Sequence, residues 1–312
     1  MTNNLKVALC VPVLNPGNAA NVLLGSVAQQ ECQPDEVLIV DSDSDDDSVE
    51  LFRAAGAKVV VISRTEFDHG GTRQMAVEIL PHIDIIVFMT QDAVLAGRED
   101  LKKLLACFKD ENVGAAYGRQ LPFSDAGEVE AHARFFNYPE RSRIKGMSDI
   151  SELGIKTAFI SNSFAAYRRS VLMAIGGFPR DLILGEDTYV AARLLLSGWK
   201  VAYCAEAQVY HSHDLTLGQE FRRYFDIGVF HGRESWLRRE FGQPHGEGAR
   251  FVKSEFNYLR VRNPILVPFA LARNVIKLLA FRLGLMERYL PLWLKLNLGW
   301  SKAYWERSAS SR

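Results

Sequence analysis

Lys6-Val7-Ala8-Leu9-Cys10-Val11-Pro12-Val13 is followed by the turn Asn15-Pro16-Gly17 and by a helical pattern over 19–30. An almost unbroken apolar run bounded by turn residues reads as a strand buried on both faces, and the helix behind it as its crossover. The unit recurs as strand Glu36-Val37-Leu38-Ile39-Val40, helix 48–55, strand Lys58-Val59-Val60-Val61-Ile62, helix 72–80 and strand 83–89. Such alternation predicts an α/β domain with a mostly parallel, doubly wound sheet flanked by helices, with ligands bound at the carboxyl ends of its strands. A clear helix over 98–108 follows, whereas 118–157, with scattered Gly, Pro and aromatic residues, reads as loop-rich and mobile.

The 312 residues, 48% of them apolar, can bury a core of one large or two small domains. The formal net charge of zero conceals an asymmetry: residues 250–312 hold 12 Lys/Arg against 3 Asp/Glu, leaving 25 against 34 for 1–249. The two parts meet different surroundings. Cys10, Cys32, Cys107 and Cys204 lie far apart without a Cys-x-x-Cys spacing, and no basic-then-apolar leader precedes the first strand, so a reduced, cytoplasmic protein is expected. No nucleic-acid partner is expected. The first strand is not followed by Gly-x-Gly-x-x-Gly, which argues against a dinucleotide-dependent dehydrogenase.

Candidate chemistry gathers where strands end. Asp41 is the first polar residue after the second strand and can accept hydrogen bonds from a base imide or ribose hydroxyls, while Asp45, Asp46 and Asp47 read as a solvated turn. In Phe67-Asp68-His69-Gly70-Gly71-Thr72-Arg73 the glycines precede a helix start, so either phosphates approach closely with Arg73 supplying charge or the turn simply caps the helix. Asp92, in Thr90-Gln91-Asp92-Ala93, suits a hard divalent cation that bridges two phosphates, and His211, before His213, is a candidate further ligand. Gly185-Glu186-Asp187 opens an apolar-periodic segment, which puts a carboxylate pair at a helix N-terminus and makes it the best candidate for proton transfer.

Val-Pro-Val-x-Asn over 11–15, Asp41, Asp92, Gly-Gly-Phe-Pro over 176–179 and Gly-Glu-Asp over 185–187 occur together, and in this order the chain resembles the inverting glycosyltransferases of family two across roughly residues 5–235. Asp-His-Gly-Gly-Thr-Arg, Thr-Gln-Asp-Ala and Phe136-Asn137-Tyr138-Pro139 look like its bacterial rhamnosyltransferase branch. The resemblance implies the GT-A nucleotide-diphosphosugar fold, with Asp187 as catalytic base and Glu186 orienting it or the acceptor. It implies a donor site from Pro12, Asn15, Asp41, Asp43, Gly71, Arg73, Gln91, Asp92 and Arg222, and an acceptor side from Asn162, Gly177 and Phe178. A divalent metal, Mg²⁺ or Mn²⁺, would sit on Asp92 and His211. The reaction so implied moves a sugar, L-rhamnose from dTDP-L-rhamnose in the first instance, to a lipid-linked saccharide in O-antigen or other surface-polysaccharide synthesis. The alternatives are another nucleotide-sugar (mannosyl, galactosyl or glucosyl) and a non-catalytic nucleotide-sugar-binding membrane module. A nucleotidyltransferase would need a cationic, Gly-rich signature after the first strand, and Asn15-Pro16-Gly17-Asn18 has no cation. The family's Asp-x-Asp is reduced to Gln91-Asp92-Ala93, which leaves one carboxylate for the metal. Gln219-Glu220-Phe221-Arg222-Arg223-Tyr224 is similar to the family's Gln-x-x-Arg-Trp, and Arg222 or Arg223 would hold the leaving pyrophosphate unless the segment is a solvated amphipathic helix.

The expected domains are a catalytic unit, 1–240, and a basic, apolar C-terminal helical extension, 241–312. In the extension the blocks 265–272 and 290–294 alternate with Arg273, Lys277, Arg282, Arg288 and Lys295. No block reaches the approximately 20 uncharged residues that span a bilayer. Basic helices with Trp293, Trp300, Tyr304 and Trp305 suit an anionic membrane surface, and the expectation is a protein peripheral to the inner face of the bacterial cell membrane. The alternative is a helical pair packed on the catalytic unit or on a second subunit as a homodimer.

Overall fold

A computed structural model describes residues 5–242 and 246–310. Strands β1 Val7–Val13, β2 Glu36–Asp41, β3 Lys58–Val61 and β4 Ile85–Met89 pair in parallel in the order β3-β2-β1-β4. Helices α1 Asn18–Ala28, α2 Ser48–Ala54 and α3 His69–Glu78 connect them. Every residue of β4 is buried, as a Val/Ile-rich strand covered by helices on both faces requires.

Strands β5 Val94–Leu95, β6 Val113–Leu121, β7 Arg143–Lys145, β8 Phe164–Arg168 and β9 Lys200–Tyr210 extend the sheet beyond β4 in the order β8-β6-β9-β5, with β7 beside β9. The sheet is mostly parallel, as expected, with β6 and β9 running in the direction of β1–β4, while β8 runs antiparallel to both β4 and β6, and β5 and β7 run antiparallel to β9. The chain leaves β6 at the carboxyl edge and re-enters from that edge, so β8 runs backwards and delivers Ser161-Asn162-Ser163 to the ligand side.

The remaining helices are α4 Asp100–Ala106, α5 Glu128–Asn137, α6 Ile150–Leu153, α7 Arg169–Ala174, α8 Glu186–Leu196, α9 Leu217–Arg233, α10 Ser235–Phe241, α11 Glu247–Arg262, α12 Val267–Leu285, α13 Leu292–Leu298 and α14 Lys302–Ser310. The segment expected to be a mobile loop contains α5, β7 and α6. It is ordered by a distant partner: His132 of α5 meets the Ser254 hydroxyl of α11 at 2.9 Å, and the Phe136 and Phe251 rings pack edge to face at 5.1 Å.

The boundary expected at 240 cuts through a shared core. Trp305, 1% exposed, packs in one cluster with Phe225, Phe230 and Phe241. Helices α9 and α12 approach so closely that a Cβ on Gly228 would lie 2.2 Å from the Phe281 carbonyl oxygen, and one on Gly284 would lie 2.1 Å from that of Phe225. Arg273 of α12 pairs bidentately with Glu220 of α9 at 2.7 and 2.5 Å, and Lys277 joins at 3.1 Å. Gly284→Ala is therefore expected to destabilise by about 1–3 kcal/mol through overpacking, although Ala is the better helix former. Gly248→Ala in α11, with open space around the added methyl, is expected to raise Tm. Thermal melts in which both substitutions act alike would refute the close crossing.

Candidate active site

A cleft of about 170 Å³ opens over the carboxyl ends of β1, β2 and β4, lined by Pro12, Val13, Leu14, Ser42, Arg64, Phe67 and Gln91. Its floor is pinned by exchange between loops. Gln91 accepts from the Leu14 amide at 2.7 Å and donates to the Leu14 carbonyl at 3.2 Å, so it zips the exits of β1 and β4 together. Asn15 donates its amide to the Ser44 hydroxyl at 2.8 Å and accepts from the Asp45 amide at 2.7 Å. Asp41 is 1% exposed and accepts from the amide and hydroxyl of Ser44 at 2.9 and 2.5 Å. The Ser42 hydroxyl is buried against the cleft without a hydrogen-bond partner among the described residues, the condition expected of a group that a ligand satisfies. Arg64 donates to the carbonyl of Asp43, which is exposed at φ 63°, and pairs with Asp45.

The carboxylate pair sits at the start of α8. Gly185 precedes it at φ 80°, and a Cβ there would lie 2.9 Å from the Phe230 ring, so both the turn and the helix packing require glycine. Glu186 is buried and its Oε1 lies 3.1 Å from Arg73 Nη1. The same oxygen accepts from Asn162 Nδ2 at 3.0 Å, and Tyr167 donates to Asn162 Oδ1 at 2.7 Å. Burial pushes the Glu186 carboxyl up, but Arg73, His69 and Asn162 outweigh it and hold the group below the usual carboxylate range. Asp187 is only half-buried and accepts from the Thr188 amide at 2.6 Å and the Asn162 amide at 3.4 Å. Burial, and then the ionised Glu186 beside it, push the Asp187 carboxyl up to about 7. Adjacent carboxyls are thus held apart in acidity, one a fixed anion and the other poised to take a proton near neutral pH.

On the sheet edge beyond Gln91, Asp92, His211 and His213 bring one carboxylate and two imidazoles together, with ligand atoms all within 4.8 Å of one another. His211 Nε2 is 3.4 Å and His213 Nε2 3.1 Å from the Asp92 oxygens, and the two imidazole nitrogens are 3.1 Å apart. His211 Nδ1 faces Gln120 Oε1 at 2.9 Å, which leaves Nε2 as the ligating nitrogen. Burial raises the Asp92 carboxyl, yet hydrogen bonding and charge from His211 overcome it and hold Asp92 well below the usual range. Burial, then His211, lowers His213 to about 4, so its imidazole is neutral at physiological pH. One carboxylate oxygen with two imidazole nitrogens is a donor set that fits a divalent ion.

Residues 8–176 match the family model described as glycosyl transferase family 2. The chain belongs to glycosyl transferase family 2. Among relatives of this family 2 glycosyltransferase, the O-antigen chain rhamnosyltransferase WbaN of Salmonella anatum is 47% identical over 298 residues, covering 95% of each chain. The O-antigen chain rhamnosyltransferase RfbN of Salmonella typhimurium is 44% identical over 302 residues, covering 96% of each. A solved mannosyltransferase, PcManGT from Pyrobaculum calidifontis in complex with GDP-Man and Mn²⁺, aligns with a TM-score of 0.57 at 19% identity, over 99% of this chain and 87% of its own. That likeness establishes the GT-A fold.

Within the family 2 site several expected residues take different positions. Gly71 gives its amide to Asp68, the cap of α3, at 2.6 Å, and Arg73 is 4% exposed beneath Glu186, so neither presents a donor group to the cleft. Asp41 anchors the loop from below, and the loop's cleft-lining residue is Ser42. Gly177 is buried against Gln74, and Phe178, 2% exposed, packs its ring on Phe88 and Tyr167, so both build the core rather than an acceptor surface. Asn162 is likewise buried and acts on the carboxylates from behind. Arg222 and Arg223 are both exposed on α9, and Arg223 is the one close enough to depress His213. Sequence reasoning missed Arg64, Ser42 and Phe67, and ranked His213 below His211. The His-x-His spacing after a strand was the available signal for the pair.

Proposed function

We propose that this glycosyltransferase moves L-rhamnose from dTDP-L-rhamnose to a lipid-linked saccharide in O-antigen synthesis, with inversion, at the inner face of the cell membrane. The observation that carries the reaction is Asp187, raised to about 7 beside an anion held by Arg73. The near full-length likeness to two O-antigen rhamnosyltransferases supports the sugar and the pathway.

Asp187 takes the proton of an acceptor hydroxyl while that oxygen attacks the anomeric carbon on the face opposite the nucleotide. The bond from that carbon to the diphosphate oxygen breaks, and the dTDP leaves with the electron pair. Glu186, fixed by Arg73 and Asn162, keeps Asp187 basic enough for the task. Ser42 and Arg64 bind the nucleoside end, and Arg223 supports the diphosphate. Asp92, His211 and His213 would hold Mn²⁺ or Mg²⁺, whose chemistry is to offset charge on the departing diphosphate.

Thermal shift tests the donor, because a ligand at about 100 times its Kd stabilises the fold by about 2.7 kcal/mol. With Mn²⁺ present, dTDP-L-rhamnose is expected to raise Tm more than GDP-mannose, UDP-glucose or UDP-galactose. A larger shift from any of these would replace rhamnose as the donor sugar.

A further inference from the structure

Helix α12 is built inside out. Its inward stripe, Ala270, Arg273, Lys277, Ala280 and Gly284, carries two cations, both held against Glu220 of α9. Its outward stripe, Leu271, Val275, Leu278 and Leu279, continued by Met286, recurs every three or four residues and is apolar, with Val275 and Leu279 each 57% exposed. A surface helix facing water has the opposite arrangement. The segment Pro264–Leu285, with a mean hydropathy of 1.6, is long and apolar enough to cross a bilayer. In the fold the cation pair with Glu220 and the glycine contact with α9 commit one side of the helix to protein. Only the outward side is free to meet another phase.

The charge around this face identifies the phase. Between 250 and 310 the acidic residues are Glu255 and Glu287, both buried, and the exposed Glu306, whereas Arg260, Arg282 and Arg288 along with Lys302 are exposed. Tyr289 and Trp293, 67% and 64% exposed, add rings of the kind that settle at a headgroup boundary. A second copy is a poor occupant, since a two-fold interface would set the same cationic rim against itself.

We propose that the outward face of α12, with Tyr289 and Trp293, lies in the plane of an anionic leaflet, the leucines reaching the acyl boundary and the arginines meeting lipid phosphates. The inference rests on the lipid-linked acceptor above only for the choice of membrane. It refines the expected docking of the tail, since it assigns Arg273, Lys277 and Lys295 to internal ion pairs and leaves the lipid to the apolar stripe and its rim.

Flotation of the full chain with phosphatidylcholine vesicles, with and without phosphatidylglycerol, tests it. The wild type is expected to float with the anionic vesicles, and Leu278→Glu with Leu279→Glu to lower the bound fraction by roughly tenfold or more. Arg282→Glu with Arg288→Glu is expected to remove the preference for phosphatidylglycerol and its sensitivity to salt. All variants should keep the Tm shift given by the nucleotide-sugar, so a failure of the donor reading and a failure of this one are read separately. A wild type that does not float, or a Leu278→Glu, Leu279→Glu variant that floats unchanged, would overturn the proposal. So would a change from dimer to monomer in that variant without any vesicle binding, which would make the face a subunit interface.

Discussion

Asp187→Asn is expected to lower transfer by roughly 100-fold or more while donor affinity is retained, because the side chain keeps its shape and loses only its proton acceptor. The wild-type rate should rise with pH through about 7 and level above it, since Asp187 acts only when deprotonated. In Glu186→Gln the anion that helps to raise Asp187 is gone while Arg73 remains, so this acid limb should move to lower pH. That variant also leaves Arg73 buried without its partner, at a cost of about 3–5 kcal/mol, so its rates must be read on the folded fraction. The linkage has a definite sign. A carboxyl raised from 3.8 to about 7 on folding disfavours the folded state increasingly as pH climbs between those values, and the loss is complete above the upper one. Asp187→Asn should therefore raise Tm at pH values above 7 while it abolishes turnover. An Asn variant that turns over within a few-fold of wild type would remove Asp187 from the proposed mechanism.

The strands that carry the donor side could be read from the sequence because their burial is local and continuous. Val7 to Val13 and Ile85 to Met89 are apolar without alternation, and only a strand covered on both faces uses such a run. Asp92 and Asp187 could be found because each lies at the terminus of a clear element, Asp92 just after β4 and Asp187 in the first turn of α8. What the sequence could not convey depends on partners far along the chain. Arg73 looks like a phosphate ligand after two glycines, yet its charge is spent on Glu186, 113 positions later. Phe178 follows two glycines at an edge, yet closes on Phe88 and Tyr167. The reversal of β8 depends on where the chain re-enters the sheet, which no periodicity records. The basic residues of the tail look like a uniform cationic face in sequence. In the fold Arg273, Lys277 and Lys295 are consumed by Glu220 and Glu287, and the exposed remainder is what defines the outer surface.

Asp92→Ala is expected to abolish stimulation by divalent metal and to weaken the donor by far more than any neighbouring substitution, because no second Asp-x-Asp carboxylate remains to replace it. His213→Ala should behave as a weaker version of the same change, with activity recoverable at higher metal concentration. Gln120→Ala supplies the internal control. It touches no ligand atom, but it releases His211 Nδ1 from the contact at 2.9 Å that fixes which nitrogen faces Asp92, and substitutions of that kind lower metal affinity by roughly 10–100-fold. The order Asp92→Ala, then His213→Ala, then Gln120→Ala is thus expected in a titration of chelator-treated protein with Mn²⁺, read by the Tm shift that dTDP-L-rhamnose produces. Two imidazoles with one carboxylate form a softer set than the oxygen cage Mg²⁺ prefers, so Mn²⁺ should saturate at the lower concentration. Full activity of the wild type in excess chelator, with Gln120→Ala unchanged, would show that these three side chains are a structural cluster and that the diphosphate leaves with the help of Arg223 alone.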